Sequence, residues 1–282
     1  MIAEKAYAKI NLTLSVGEKR EDGYHEIDSV MHSISLCDEV TLTEAGGISL
    51  SIKEGLAPGE KANLMWGAAE LFFRETGFSG GVHMELVKQI PSEAGMGGGS
   101  SDAAAVLRGL NRMTGQQLSL MALADMGAKL GADVPFCVAG GCRRCEGIGE
   151  KLTPLAGWAG LPVVIVRPGV SISTGKAYGL LDGFSRRRAG TAESCIEALK
   201  SKDRAALLAS LSNDFEDVLF KAEPVLGETF SYLSSLCKKA MMTGSGSAFF
   251  LMAENEVQQR KLAAEINEER PKWYVGTAET IL

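Results

Sequence analysis

Polar and apolar residues alternate in the opening stretch AKINLTLSV, with Ala8, Ile10, Leu12, Leu14 and Val16 on one face and Lys9, Asn11, Thr13 and Ser15 on the other. A period of two predicts a half-buried strand, one face core and one face polar. Residues 17–26, GEKREDGYHE, gather charge around Gly and Asp and predict a loop. Alternation resumes in IDSVMHSISL, DEVTLTEA and ISLSIKE, so residues 1–53 read as an antiparallel, β-rich start.

The period then changes. From Asn63 to Thr76, Leu64, Ala68, Leu71 and Phe72 fall at helical spacing, with Gly77 placed to end the helix. GVHMELVKQI returns to a strand, and Ala103, Val106, Leu107 and Leu110 then form one apolar helical face that stops at Gly115. A helix over about 119–130 leads into GADVPF, AGGCRRCEGIGEKLTPL reads as short strands with turns, and PVVIVRP is an apolar strand. Residues 171–222 are helical in character, 223–235 and 256–269 predict two more helices, MMTGSGSAFFLMA a glycine turn entering a strand, and KWYVGTAETIL a closing strand. The mixture is of the α+β class.

The length of 282 residues allows two domains, each able to bury a core. We read residues 1–155 as the first and 156–282 as the second, divided near the cluster of Gly149, Pro154, Gly157 and Gly160, with the last strand a candidate to return to the first domain. A formal charge of −6 argues against broad nucleic-acid binding, which needs Lys and Arg to neutralise phosphates. No apolar run approaches the ~20 residues of a bilayer span, and MIAEKAYAKINL lacks the pattern of a targeting segment, so no membrane partner and a cytoplasmic location are expected. The six cysteines read as reduced thiols. Cys142 and Cys145 form a lone CxxC that fits either two small strand residues or half of a metal or redox site, and Arg186, Arg187 and Arg188 fit a solvated loop.

Candidate chemistry centres on PSEAGMGGGSSDAA, which starts at Pro91. Its glycines, Gly95, Gly97, Gly98 and Gly99, each carry an entropic cost of about 0.5–1 kcal/mol relative to Ala in regular structure, so a local reason is needed. Glycine lets backbone N–H groups approach an anion, and Ser100, Ser101 and Asp102 open a helix whose N-terminus favours negative charge. The run matches neither GxxxxGK[ST] nor GxGxxG. Lys9 fits either a cation that polarises a hydroxyl or phosphate, or a guard against edge pairing. Asp133, between Gly131 and Pro135, fits either a positioned carboxylate or a helix cap.

Taken together, AKINL, PSEAGMGGGSSDAA and MTGSGSAFF resemble, in order and spacing, the three signatures of the GHMP kinase superfamily, across almost the whole chain. AYAKINLTL, DGYHEIDSVM, IPSEAGMGGGSSDAAAVL and GADVPFCVAGG are most similar to its branch acting on a cytidine-tagged polyol, CDP-methylerythritol. The resemblance implies an N-terminal domain of the ribosomal-protein-S5 domain-2 type and a C-terminal ferredoxin-like domain. It implies ATP-dependent phosphorylation of the substrate 2-hydroxyl in isoprenoid precursor synthesis, with Asp133 as general base and Lys9 polarising the oxygen. Pro91, Gly95, Met96, Gly97, Gly98, Gly99, Ser100 and Ser101 would hold ATP, with Mg²⁺ as its companion and no metal ligand assigned from the sequence. Asn11, Tyr24, His25, Thr174 and Tyr178 would contact the substrate, aromatic rings stacking on the cytosine; Gly244, Ser245 and Gly246 match the third signature. A monomer or homodimer is expected. CRRCEGIGE departs from the family's smaller, less charged residues there.

Overall fold

A computed structural model describes residues 1–182 and 192–282; the Arg186, Arg187 and Arg188 cluster lies outside the described residues. The chain forms two compact units, each assembled from separated segments. Two long strands, β1 (Ile2–Lys19) and β2 (His25–Ala45), contribute one part to each unit.

Unit 1 comprises Met1–Ala8, Leu36–Ser92 and Gly97–Gly140. It adds β3 (Ile48–Glu54) and β4 (Gly81–Val87), with α1 (Leu64–Thr76), α2 (Gly98–Thr114), α3 (Leu120–Ala128) and α4 (Val134–Ala139). β4 runs antiparallel to β2, from Glu39 opposite Val87 to Ala45 opposite Gly81. β3 runs parallel to β4, contrary to an antiparallel start throughout, because α1 lies in the connection and carries the chain back before β4 begins. Asn63 caps α1 by accepting from the Met65 N–H, and Gly77 ends it at φ 68°. Val40, Leu42, Met65, Phe72, Met84, Val106 and Leu110 belong to one core between sheet and helices.

Unit 2 comprises Lys9–Ser35, Glu93–Met96 and Gly141–Leu282. Its strands are β5 (Cys142–Gly147), β6 (Lys151–Pro154), β7 (Pro162–Arg167), β8 (Ser212–Asn213), β9 (Ala240–Met242), β10 (Phe249–Met252) and β11 (Tyr274–Glu279). Its helices are α5 (Thr174–Leu181), α6 (Ala192–Ser201), α7 (Arg204–Ser210), α8 (Phe215–Ala222), α9 (Pro224–Leu236) and α10 (Glu256–Glu269). β8 pairs parallel to β1 at Thr13 and Leu14, a strand within the stretch read as helical, and β5 pairs antiparallel to β2. A second sheet has the order β11-β7-β10-β9. The closing strand pairs with β7, and beyond it Thr280 bridges Ile34.

Two expectations change. The charged segment 17–26 is not a long loop: β1 continues to Lys19 and β2 starts at His25, leaving a tight turn closed by Arg20 N–H donating to Tyr24 O at 2.7 Å, with Gly23 at φ 86°. Charged side chains at the tip of a hairpin stay in solvent without breaking the strands. The polar face of β1 is also not solvated, since every residue from Ala8 to Leu14 is buried.

Buried His32 on β2 clips unit 2 from inside: its Nδ1–H donates to Ser33 O at 3.0 Å and its Nε2 accepts from Trp158 N–H at 3.2 Å. Those partners require a neutral ring, and burial pulls its pKa down to about 4. The unfolded chain therefore takes up this proton first, near pH 6.5, and stability falls as the pH drops from there towards 4, by about 3 kcal/mol from this group. Urea unfolding of the wild-type chain and His32→Gln at pH 7, 5.5 and 4.5 is expected to show a shallower acid loss in the variant; equal slopes would remove His32 as a cause.

Candidate active site

Lys9, which the period of two places on the polar face of β1, is 3% exposed. Burying an ammonium demands compensation by hydrogen bonds. Its Nζ donates to Asn11 Oδ1 at 2.6 Å. The Asn11 Nδ2 donates to Ser29 Oγ at 2.8 Å, and that hydroxyl donates to Thr13 O at 2.6 Å. Asn11 N–H donates to Thr243 Oγ1 at 3.1 Å. Each hydroxyl has one proton, so the chain of donors fixes the Asn11 amide with its oxygen towards Lys9. Lys9 N–H also donates to Met96 O at 3.1 Å, tying this strand to the glycine run.

The glycine run divides by function. A Cβ on Gly95 (φ 69°) would overlap the Thr243 carbonyl oxygen, and one on Gly244 (φ 55°) would lie 2.6 Å from Gly95 O. These two glycines exist so that two backbones can touch. Ala248 N–H donates to Ala94 O at 3.3 Å, and Asn213 Nδ2 donates to Met242 O and Gly244 O at 2.8 and 2.9 Å, clamping the third-signature turn. Gly97, at φ 69°, is the cap from which α2 starts at Gly98. A helix's first N–H groups have no intrahelical acceptor, so those of Gly98, Gly99 and Ser100 can receive an anion. Ser101 is buried, its hydroxyl donating to Tyr7 O at 2.6 Å, and serves packing rather than an open cradle. Pro91 is half-buried just before the run.

Asp133 occupies the N-cap position of α4 with φ −83° and ψ −15°, yet its side chain makes no capping hydrogen bond. The cap alternative therefore does not explain it. It is half-buried, and Pro135 stiffens the helix start behind it.

On the substrate side, His25 and Tyr178 come together as stacked rings, 5.1 Å between centroids at 24°. Tyr178 in turn meets Phe215 edge-on at 5.0 Å. His25 Nε2–H donates to Asp182 Oδ1 at 2.7 Å, and Asp182 also pairs with Lys19 at 2.7 Å. Lys19 first, then His25, hold the Asp182 carboxyl below its usual range. Tyr24 is 58% exposed at the hairpin turn and does not join this stack. Thr174 Oγ1 lies 3.2 Å from Ser245 Oγ, linking the start of α5 to the third-signature turn. Asp182, Phe215 and Asn213 escaped the sequence reading because no motif marks them; only the fold brings them to His25, Tyr178 and Gly244.

In the charged segment CRRC, Arg144 is held by partners on other elements, binding Asp28 of β2 through two hydrogen bonds of 2.9 and 2.7 Å and Glu193 of α6 at 2.7 Å. Cys142 and Cys145 are buried strand residues, and burial pushes the Cys142 thiol up to about 12.

The chain matches the family model for the GHMP kinases N terminal domain over residues 63–141 and that for GHMP kinases C terminal over residues 195–272. A 4-diphosphocytidyl-2-C-methyl-D-erythritol kinase of Shouchella clausii (strain KSM-K16) is 40% identical over 92% of this chain and 88% of its own. One of Acetivibrio thermocellus (strain ATCC 27405 / DSM 1237 / JCM 9322 / NBRC 103400 / NCIMB 10682 / NRRL B-4536 / VPI 7372) is 39% identical over 91% and 92% respectively. A solved 4-(cytidine 5'-diphospho)-2C-methyl-D-erythritol kinase superposes with TM-score 0.82 and 34% identity, covering 98% of this chain and 99% of that one. A homoserine kinase from Cytophaga hutchinsonii, at 15% identity and TM-score 0.74, shares the fold.

Asn11→Ala removes an acceptor for a buried ammonium and the donor to Ser29, and is expected to destabilise the protein by about 2 kcal/mol in urea unfolding. Tyr24→Ala, on an exposed ring, should change stability by less than about 0.5 kcal/mol. Similar losses for both would show that the Asn11 network does not hold this region.

Proposed function

Because the chain belongs to the 4-diphosphocytidyl-2-C-methyl-D-erythritol kinase family of the GHMP kinases, we propose that Lys9 and the glycine run handle the transferring phosphoryl group and that Asp133 receives the substrate proton. The protein phosphorylates CDP-methylerythritol in the non-mevalonate isoprenoid pathway. The observation that carries the residue assignment is the Lys9 N–H to Met96 O hydrogen bond, which fixes the buried lysine to the loop that would hold the ATP phosphates.

Phosphoryl transfer asks a protein mainly for positioning and electrostatic stabilisation. The N–H groups at the start of α2 meet phosphate oxygens, and the Lys9 ammonium, aimed by Asn11, stabilises charge on the oxygens around the transferring phosphorus. An ordinary Asp, with pKa about 3.9, is too weak to strip an alcohol beforehand. Asp133 accepts the 2-hydroxyl proton as the new O–P bond forms and the bond to ADP breaks. At the cytidine end, Tyr24 and Tyr178 supply ring faces, base stacking on such rings contributing about 1–3 kcal/mol each, and His25 backs the Tyr178 ring. Thr174 and Asn11 supply polar contacts.

The proposed residues contain one carboxylate, and no group of three or more His, Cys, Asp or Glu among the described residues forms a metal cage. That donor set fits Mg²⁺ carried on the triphosphate and its waters, the usual arrangement for this cation. When bound, it would offset the negative charge of the phosphates as the phosphoryl group transfers.

With γ-labelled ATP, Mg²⁺ and CDP-methylerythritol, the purified protein is expected to transfer label, and a folded sample that transfers none would sink the assignment. Asp133→Asn should lower turnover by about 10²–10⁴-fold while ATP still binds. Turnover near the wild-type rate would remove Asp133 from the base role.

A further inference from the structure

A second buried lysine lies in unit 1 and takes no part in the chemistry above. Lys88, just past the end of β4, has its ammonium between two carboxylates: it pairs with Asp38 of β2 and, at 3.0 Å, with Asp102 of α2. The three side chains are almost completely shielded from solvent. Asp38 is anchored by its other oxygen, which accepts from Gln89 N–H at 2.5 Å and Ile90 N–H at 2.8 Å. Asp102 is not: its Oδ1 is buried without a hydrogen-bond partner among the described residues.

Two buried carboxylates sharing one ammonium, with one oxygen orphaned, is a poor arrangement for stability alone. Its location gives it a use. A Cβ built on Gly98 would stand 2.9 Å from Lys88 Nζ and 3.1 Å from Ile90 Cγ2, so the first residue of α2 rests directly on the lysine head and the side chain beside it. Held from both sides, the head cannot swing away as a surface lysine would.

We propose that Lys88, clamped between Asp38 and Asp102, is a positioning residue for the phosphate loop: it supports Gly98 from below and sets the N–H groups that open α2. The proposal rests on the reading of this loop as the ATP phosphate site. It also assigns a part to Asp102. With both carboxylates ionised the cluster carries net negative charge beneath a site for a polyanion; with Asp102 protonated the cluster is neutral. Burial pushes the Asp102 carboxyl up to about 8, so the neutral form prevails at physiological pH. The charged groups acting on Asp102 are Lys88 and Asp38. On the helices packed against α2, Glu70, Arg74 and Glu75 of α1 and Asp125 of α3 are exposed, α4 has no charged residue, and Arg108 and Arg112 of α2 itself pair with Glu4.

The test measures MgATP affinity by calorimetry, and KM for ATP and kcat under steady state, from pH 6.5 to 9.5. Lys88→Met is expected to raise Kd and KM for ATP tenfold or more while kcat falls by less than threefold. Wild-type affinity should weaken severalfold between pH 7.5 and 9, and Asp102→Asn, which keeps the shape and cannot ionise, should lose that weakening. A folded Lys88→Met with wild-type ATP affinity overturns the proposal. Should Lys88→Met fail to fold, Asp102→Asn decides: the wild-type pH profile in that variant overturns it as well. Failure of the wild-type protein to bind MgATP would instead overturn the reading of the loop.

Discussion

An ammonium buried in the middle of a strand is the constraint around which unit 2 is arranged. Moving the Lys9 charge out of water carries a penalty of several kcal/mol, and the hydrogen bond to Asn11 contributes fully to offsetting it only where Asn11 itself is held rigidly. Ser29 and Thr243 provide that rigidity, each from a distant part of the chain. The first strand, the second strand, the glycine run and the third-signature turn are thus required to meet at one place. Removing any one of them takes a hydrogen bond away from this buried network.

The same constraint explains glycines that an anion site alone does not. Gly95 and Gly244 face each other, backbone against backbone, and a side chain on either would push the turn at Thr243 away from Asn11. Gly97 has a different duty, reversing the chain in the left-handed region so that α2 can start at Gly98 with its N–H groups presented. One short glycine-rich segment therefore answers two demands, close packing at its start and anion presentation at its end. Composition alone merges them.

Much of the secondary structure was legible because its causes are local. Apolar spacing with Asn63 and Gly77 at the ends delimits α1, and Gly115 stops α2. What was not legible depends on partners remote in sequence. The period of two on β1 identifies which residues share a face but cannot say that β8 and the turn at Thr243 will cover it, so a face read only as polar is also buried. The charge density of 17–26 masked a hairpin whose strands simply continue. Of the residues proposed to act, Lys9, the glycine run and Asp133 stand out by motif, whereas Asp182 and Phe215 carry no local signature and are recognisable only beside His25 and Tyr178.

The two buried lysines show how the identity of a partner decides what a charge can do. Asn11 orients the Lys9 ammonium through a neutral oxygen, so this contact aims the positive charge without cancelling it. Asp38 meets the Lys88 ammonium with opposite charge and Asp102 closes it in from the other side as a neutral carboxyl, which suits a side chain that must stay put. Exchanging the partners would reverse the outcome: a carboxylate at position 11 would quench the electrostatics that a phosphoryl group needs, and an amide at position 38 would weaken the hold on the lysine beneath Gly98. A chain of net charge −6 that must bind a polyanion cannot rely on overall attraction. It depends on a few local charges and backbone N–H groups, each held by neighbours chosen for whether they neutralise it.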